Sequence, residues 1–260
     1  MARAVPALRK QRMAGGKGVC QTRAHRVKVS WSCNIRVELP RRSKHGGLPL
    51  LLIEHWRGCF DALGLPGAEA AEFELLMKRY SEPHRAYHTQ QHLDECFREL
   101  ESARNFAQSP GAVGLALFYH DAIYDTHARD NEEKSAELAR GVLTSVGASA
   151  SLLTYVTDLI LVTRHAAMPQ TPDQQLVVDI DLSILGAPQA RFDEYEQQVR
   201  REYSWVDEAL FRAVRRKVLM EFMARPAIYS TKTFRDRLER SARNNLERSI
   251  AALVPTVAKG

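Results

Sequence analysis

Residues 115–124 read LALFYHDAIY and extend an apolar run that begins at Val113. A stretch apolar on every side, at a length suited to a helix, has no solvated face and belongs in the interior. The sequence therefore predicts a core helix over 113–124, with His120 and Asp121 set within it. An ionised carboxylate beside an imidazole is costly in such surroundings unless it is paired or holds a cation. A lone His-Asp pair is most simply satisfied by backbone groups or an arginine, so its neighbours decide how it is read.

Working outward, the segment YHTQQH at 87–92 begins a predicted helix over 87–106, with Leu93, Cys96, Phe97 and Leu100 as its apolar stripe. His88 and His92 stand at i and i+4, so on that helix they share one face. Downstream, VVDIDLSIL at 177–185 again plants carboxylates, Asp179 and Asp181, in an apolar stretch. Further helical patterns cover 49–63, 68–80, 131–146, 151–164, 188–203, 206–223 and 233–253, punctuated by Gly64, Pro66, Pro83 and Pro110. With a helix over 173–185 completing the series and no hairpin signal, the class is all-α. A single helical bundle domain is expected over 49–255.

Charge divides unevenly along the 260 residues. Residues 1–48 carry 12 Lys/Arg and one acid, Glu38, while 49–260 carry 25 bases and 30 acids. The overall +6 therefore belongs to a basic N-terminal extension, which has no sustained period beyond a weak strand-like alternation at 27–37 and is expected to be disordered. A mildly acidic body argues against nucleic acid as its partner, since such binding neutralises phosphates with Lys and Arg. The extension's Arg-rich, acid-poor composition overlaps with that of organelle transit peptides, but it lacks a secretory apolar stretch. No apolar run is long enough to span a membrane. Cys20, Cys33, Cys59 and Cys96 form no CxxC pair and are expected to be free thiols in a cytoplasmic, reducing setting.

His88, then His120 with Asp121, then Asp179 or Asp181, each on an apolar helix, resemble the HD superfamily of metal-dependent phosphohydrolases. The likeness is closer still to the small bacterial proteins described as predicted metal-dependent HD phosphohydrolases, in which YHxxxH, FxHDxxYD, NExxSA and DxDLSxLG-like segments recur. Here these are 87–92, 118–125, 131–136 and 179–186, in that order, and the resemblance spans roughly 50–250.

That resemblance implies metal ligands His88, His120 and Asp121, completed by Asp179 or Asp181. Either fits the pattern's single position; Asp181 is preferred, with Asp179 supporting it. Two imidazoles and two carboxylates suit Mn, Fe, Co or Ni better than a thiolate zinc site, with Zn and Mg as outer choices. The implied activity is cleavage of a phosphate ester of a small molecule, such as a nucleotide, by hydroxide generated at the metal. Asp125, four residues beyond Asp121 on the same face, is a candidate proton acceptor. HD relatives that cleave guanosine tetraphosphate carry a Glu-Asp pair after the HD, and Tyr124 stands at the Glu position here. Glu133, in the NExxSA-like segment, is the second catalytic candidate, although carboxylates in a helix's first turn also favour its dipole. Arg85, His92, Lys134 and His165, with Arg164 beside it, are candidate substrate contacts. The Arg215-Arg216-Lys217 run reads as a solvated helix face. Three other readings compete: an oxidising di-iron site, a non-catalytic nucleotide- or metal-binding module, and a plain helical scaffold.

Overall fold

The computed structural model describes residues 48–67 and 70–254. The basic extension expected over 1–48 lies outside the described residues except for Leu48, as does 255–260. Ten α-helices run in order: α1 Leu48–Ala62, α2 Ala70–Arg79, α3 Gln90–Ala103, α4 Pro110–Tyr119, α5 Asn131–Ser145, α6 Ala150–Leu161, α7 Pro172–Asp181, α8 Gln189–Glu202, α9 Glu208–Met223 and α10 Lys232–Ala252. Short 3-10 turns extend three of them, at Arg104–Phe106, Val162–Arg164 and Leu182–Gly186. No strand occurs among the described residues, and all ten helices belong to one compact unit. None of these helices is long and apolar enough to cross a membrane.

The apolar run seen in the sequence becomes α4, the axis of the core. Its residues from Gly111 to Tyr119 are all buried, and α1, α3, α5, α6 and α7 pack around it. Close approach to α1 depends on glycine: a Cβ on Gly114 would stand 2.4 Å from Cys59 Sγ, and one on Gly111 would stand 2.7 Å from the Cys59 carbonyl oxygen. Toward the C-terminus α8 and α10 pack on the turn Leu182–Gly186, and α9 packs on α10. There Gly186 lets α10 come so near that an added Cβ would lie 2.7 Å from Leu238 Cβ.

Among the helix boundaries that differ from the sequence reading, two matter for chemistry. α3 starts at Gln90, because Thr89 takes an extended conformation and its hydroxyl accepts a hydrogen bond from Gln91 N–H, a side-chain cap. His88 therefore precedes the helix. α4 stops at Tyr119, with His120 as its C-cap and Asp121 in the turn beyond. The predicted continuation to 124 is replaced by a loop, held by Ser135 Oγ accepting from Ile123 N–H (3.0 Å) and by Asn131, whose side chain bonds both N–H and C=O of Asp125.

Helix α7 supplies three buried or half-buried acids, of which two serve other helices. Asp173 accepts from Gln108 and Ser109 N–H (2.7 and 2.8 Å) and from the Tyr155 hydroxyl, closing the N-terminus of α4. Asp179 accepts from Ser230 and Thr231 N–H, both at 2.7 Å, where the chain enters α10. With both oxygens occupied in this way, Asp179 is a helix-capping acid, and its candidacy as a metal ligand is corrected. Asp179→Ala is expected to lower folding stability by about 3 kcal/mol, the scale for losing hydrogen bonds to a buried charge. Chemical denaturation measures that loss, and calorimetric titration with a divalent ion should show metal affinity unchanged.

Candidate metal centre

Four side chains from three helices meet where α3, α4 and α7 come together. His92 lies in the first turn of α3, His120 and Asp121 at the end of α4, and Asp181 is the last residue of α7. His92 Nε2 stands 3.1 Å from His120 Nε2 and 3.5 Å from Asp181 Oδ1. His120 Nε2 is 3.6 Å from the same Asp181 oxygen and 2.9 Å from Asp121 Oδ2, which lies 3.7 Å from His92 Nε2. The ligand atoms of His92, His120 and Asp181 all fall within 4.8 Å of one another, so this group can hold a metal ion.

The chemistry of the donor set fits a dication. His120 Nδ1 lies 2.8 Å from the Leu117 carbonyl oxygen. Donating there fixes a proton on Nδ1 and turns Nε2 toward the cluster, where a metal ion could take the place of its proton, the arrangement usual for metal-binding histidines. Burial works against charge on Asp121, yet His120 and His88 outweigh it and hold its carboxyl well below the usual range. Burial likewise opposes ionisation of Asp181, and hydrogen bonds with His120, His165 and His92 bring it well below its ordinary value. Two ionised carboxylates thus share an interior volume, and protons on the imidazoles or one divalent cation can balance them. Cys96 Sγ, 3.7 Å from His92 Nε2, is pushed well above its ordinary pKa by burial and stays a thiol.

The structure brings His92, and not His88, to the cluster. Lying before α3, His88 shares no helical face with His92, and their ring centroids are 6.0 Å apart. Its Nδ1 is 2.8 Å from Glu202 Oε2, and its ring stacks on Tyr124 at 4.1 Å. Glu202, at the end of α8, is the residue that sequence reasoning missed. Its Oε1 accepts the N–H groups of Ala86, Tyr87 and His88, and its Oε2 accepts the Tyr124 hydroxyl at 2.9 Å. Nothing in the local sequence RREYSW distinguishes this glutamate from its charged neighbours, because its partners are more than 70 residues away. Burial raises its pKa, but His88 and the backbone donors prevail and bring it down to about 2.

A cavity of about 500 Å³ opens over the cluster. His88, His120, Asp121, His165 and Asp181 all reach it. His165 joins the centre through Nε2, 3.1 Å from Asp181 Oδ2. It has φ 54°, the one non-glycine residue among those described with a left-handed backbone, which ends the turn Val162–Arg164 and directs the ring to Asp181. Such a conformation costs on the order of 1 kcal/mol or more and is concentrated at functional sites.

Other expected contacts lie elsewhere. Arg85 is buried and spends its guanidinium on the carbonyls of Asp121 (2.7 Å), Ala122 (3.1 Å) and His88 (3.2 Å) and on Glu82, so it braces the HD turn and is corrected as a substrate contact. Lys134 is exposed and paired with Asp130 at 2.9 Å, outside the cavity. Asp125 is exposed and bonded to His127; with α4 ended at Tyr119, it faces a different cavity behind Tyr124. Glu133 pairs with Arg164, whereas its neighbour Glu132 lines the main cavity, and burial raises that carboxyl's pKa. Arg215, far from solvated, lines the cavity as well.

Comparisons with protein-family models, with curated proteins and with solved structures find no match for this chain.

Two outcomes are expected. In calorimetric titration with Mn, His92→Ala should weaken binding by about 100-fold or more, while His88→Ala, which leaves the ligand atoms in place, should change it far less. Glu202 has a folded pKa below its ordinary 4.5, so its stabilisation is present above pH 4.5 and disappears as pH falls toward 2. Relative to Glu202→Gln, wild-type stability should therefore fall by about 3 kcal/mol across that window, measured by urea denaturation at successive pH values.

Proposed function

We propose that the protein is a metal-dependent phosphohydrolase of the HD type, cleaving the phosphate ester of a small molecule. The observation that carries this is the convergence of His92, His120, Asp121 and Asp181 beneath one cavity. The order of segments that resembles the HD superfamily supports the same reading. The pattern then reads His92, His120-Asp121, Asp181 as the ligands. A nitrogen and oxygen donor set of this kind favours Mn, Fe, Co or Ni. When bound, the ion supplies Lewis acidity, which acidifies water and draws charge from a phosphoryl oxygen.

The chain's own residues account for orientation and proton movement. Asp121 and Asp181 fix the imidazoles of His120, His92 and His165 by the contacts described above. His88, held at Nδ1 by Glu202, turns its remaining ring nitrogen away from that carboxylate, and the ring borders the cavity. A carboxylate behind an imidazole orients the ring and stabilises its protonated form, and the pKa of His88 is accordingly raised, Asp121 and Glu202 outweighing burial. His88 is thereby suited to give a proton to a departing alkoxide. Glu132, its carboxyl half-buried at the cavity wall and raised in pKa, is placed to accept one. Arg129 adds positive charge at the rim for an anionic substrate. The buried free thiols of Cys59 and Cys96 accord with a cytoplasmic setting.

A panel of phosphorylated metabolites assayed with Mn, Co, Ni and Fe in turn tests the reading. Phosphate release that depends on added ion and vanishes in Asp121→Ala is expected; binding of metal and ligand without turnover of any ester would instead make the centre a sensing module. Within an active enzyme, His88→Gln should reduce kcat by about 100-fold or more while metal content is kept, because proton transfer contributes on that scale.

A further inference from the structure

Arg215 occupies an unusual position for an arginine in a charged run. Its side chain is only 12% exposed, and it borders the same cavity as the metal cluster. Two edges of the guanidinium are already fixed. Nε donates to Glu196 Oε1 at 3.2 Å, and Nη2 donates to the same carboxylate and to the Tyr195 hydroxyl at 2.8 Å. Nη1 has no partner among the described residues. The charge is balanced by Glu196, but one pair of N–H donors remains for whatever enters the cavity.

The walls define what that is. Arg215 lies over Tyr195, 5.1 Å from its ring centroid; Tyr195 packs edge-on to Tyr87 at 4.5 Å, and Tyr87 packs on His92 at 4.8 Å. The rings of Tyr195 and Tyr87 thus run between the guanidinium and His92, so Nη1 meets a different part of a ligand from the part at the cluster. Tyr203 and Phe222 add further aromatic surface. A donor whose charge is already neutralised, among aromatic walls, suits a neutral acceptor on a flat ring better than a second anion. A buried polar donor also discriminates strongly against a ligand that offers it a donor in return.

Resting on the phosphohydrolase reading for the site itself, we propose that the substrate is a nucleotide with a keto-bearing base, and that Arg215 selects it by donating from Nη1 to the keto oxygen. A base with an amino group at that place would present hydrogens to hydrogens.

Inosine and adenosine 5′-monophosphates differ at the base in this way and share sugar and phosphate. Calorimetry should show the wild type binding the inosine nucleotide about tenfold more tightly, the scale of one hydrogen bond to a charged group. Arg215→Met should bring the two affinities to within about twofold. Since that change also strips Glu196 of its partner, Arg215→Lys serves beside it: the lysine keeps a charge for Glu196 but lacks the second fork, and should also lose the preference. A preference that survives both variants, or none in the wild type, overturns the proposal. Manganese-dependent hydrolysis of p-nitrophenyl phosphate by the wild type is measured in parallel. Its presence without a keto preference defeats the base assignment alone, whereas an Arg215-dependent preference without hydrolysis of any ester upholds the base assignment and defeats the phosphohydrolase reading.

Discussion

Asp121 and Asp181 are carboxylates that the fold brings within reach of the same imidazoles, in a volume walled by core helices. Their mutual repulsion and loss of water would be prohibitive without compensating positive charge, so every neighbouring group is arranged around that need. His92 and His120 face each other across 3.1 Å, His165 accepts a left-handed backbone to reach Asp181, and Arg85 ties down the carbonyls of the turn that carries Asp121. A divalent ion at the centre would satisfy these groups at once, and the cavity leaves His120, Asp121 and Asp181 open to it.

Acids elsewhere in the same helices have other duties, which shows why residue type alone misleads. Asp173 and Asp179 lie on α7 with Asp181, Asp179 in the same apolar stretch, yet each is turned toward the N–H groups of an incoming chain segment. Helix entry leaves backbone donors unpaired, and a buried carboxylate from a neighbouring helix can meet them. Glu202 performs a similar service for residues 86–88, and with the same carboxylate it orients His88. Support of the backbone and tuning of a cavity side chain are here one interaction.

Much of the architecture was legible in the chain. The apolar run at 113–124 identified the core helix, and each of the other nine helices lies within a few residues of where apolar spacing and Gly or Pro punctuation put it. The centre was legible in part: His120, Asp121 and Asp181 stand out as polar groups in apolar sequence. Helix ends were not legible, because Thr89 capping α3 and the exit of the chain after Tyr119 depend on local hydrogen bonds that residue periodicity does not encode. A difference of three residues at the start of α3 moved His88 off a helical face, and one of five at the end of α4 sent Asp125 to a separate cavity.

Sequence by itself determined the all-α class, the order of the helices and the presence of imidazoles and acids among apolar residues, since these follow from periodicity and from the cost of burying charge. Only tertiary structure decided that His92 rather than His88 joins the centre, that Asp181 rather than Asp179 faces it, that Glu132 rather than Glu133 borders the cavity, and that Glu202 and Arg215 belong there at all. The physical reason is that those assignments turn on direction and distance between helices remote in sequence. A carboxylate buried two residues from another can meet a backbone amide or an imidazole, and the partner is supplied by packing.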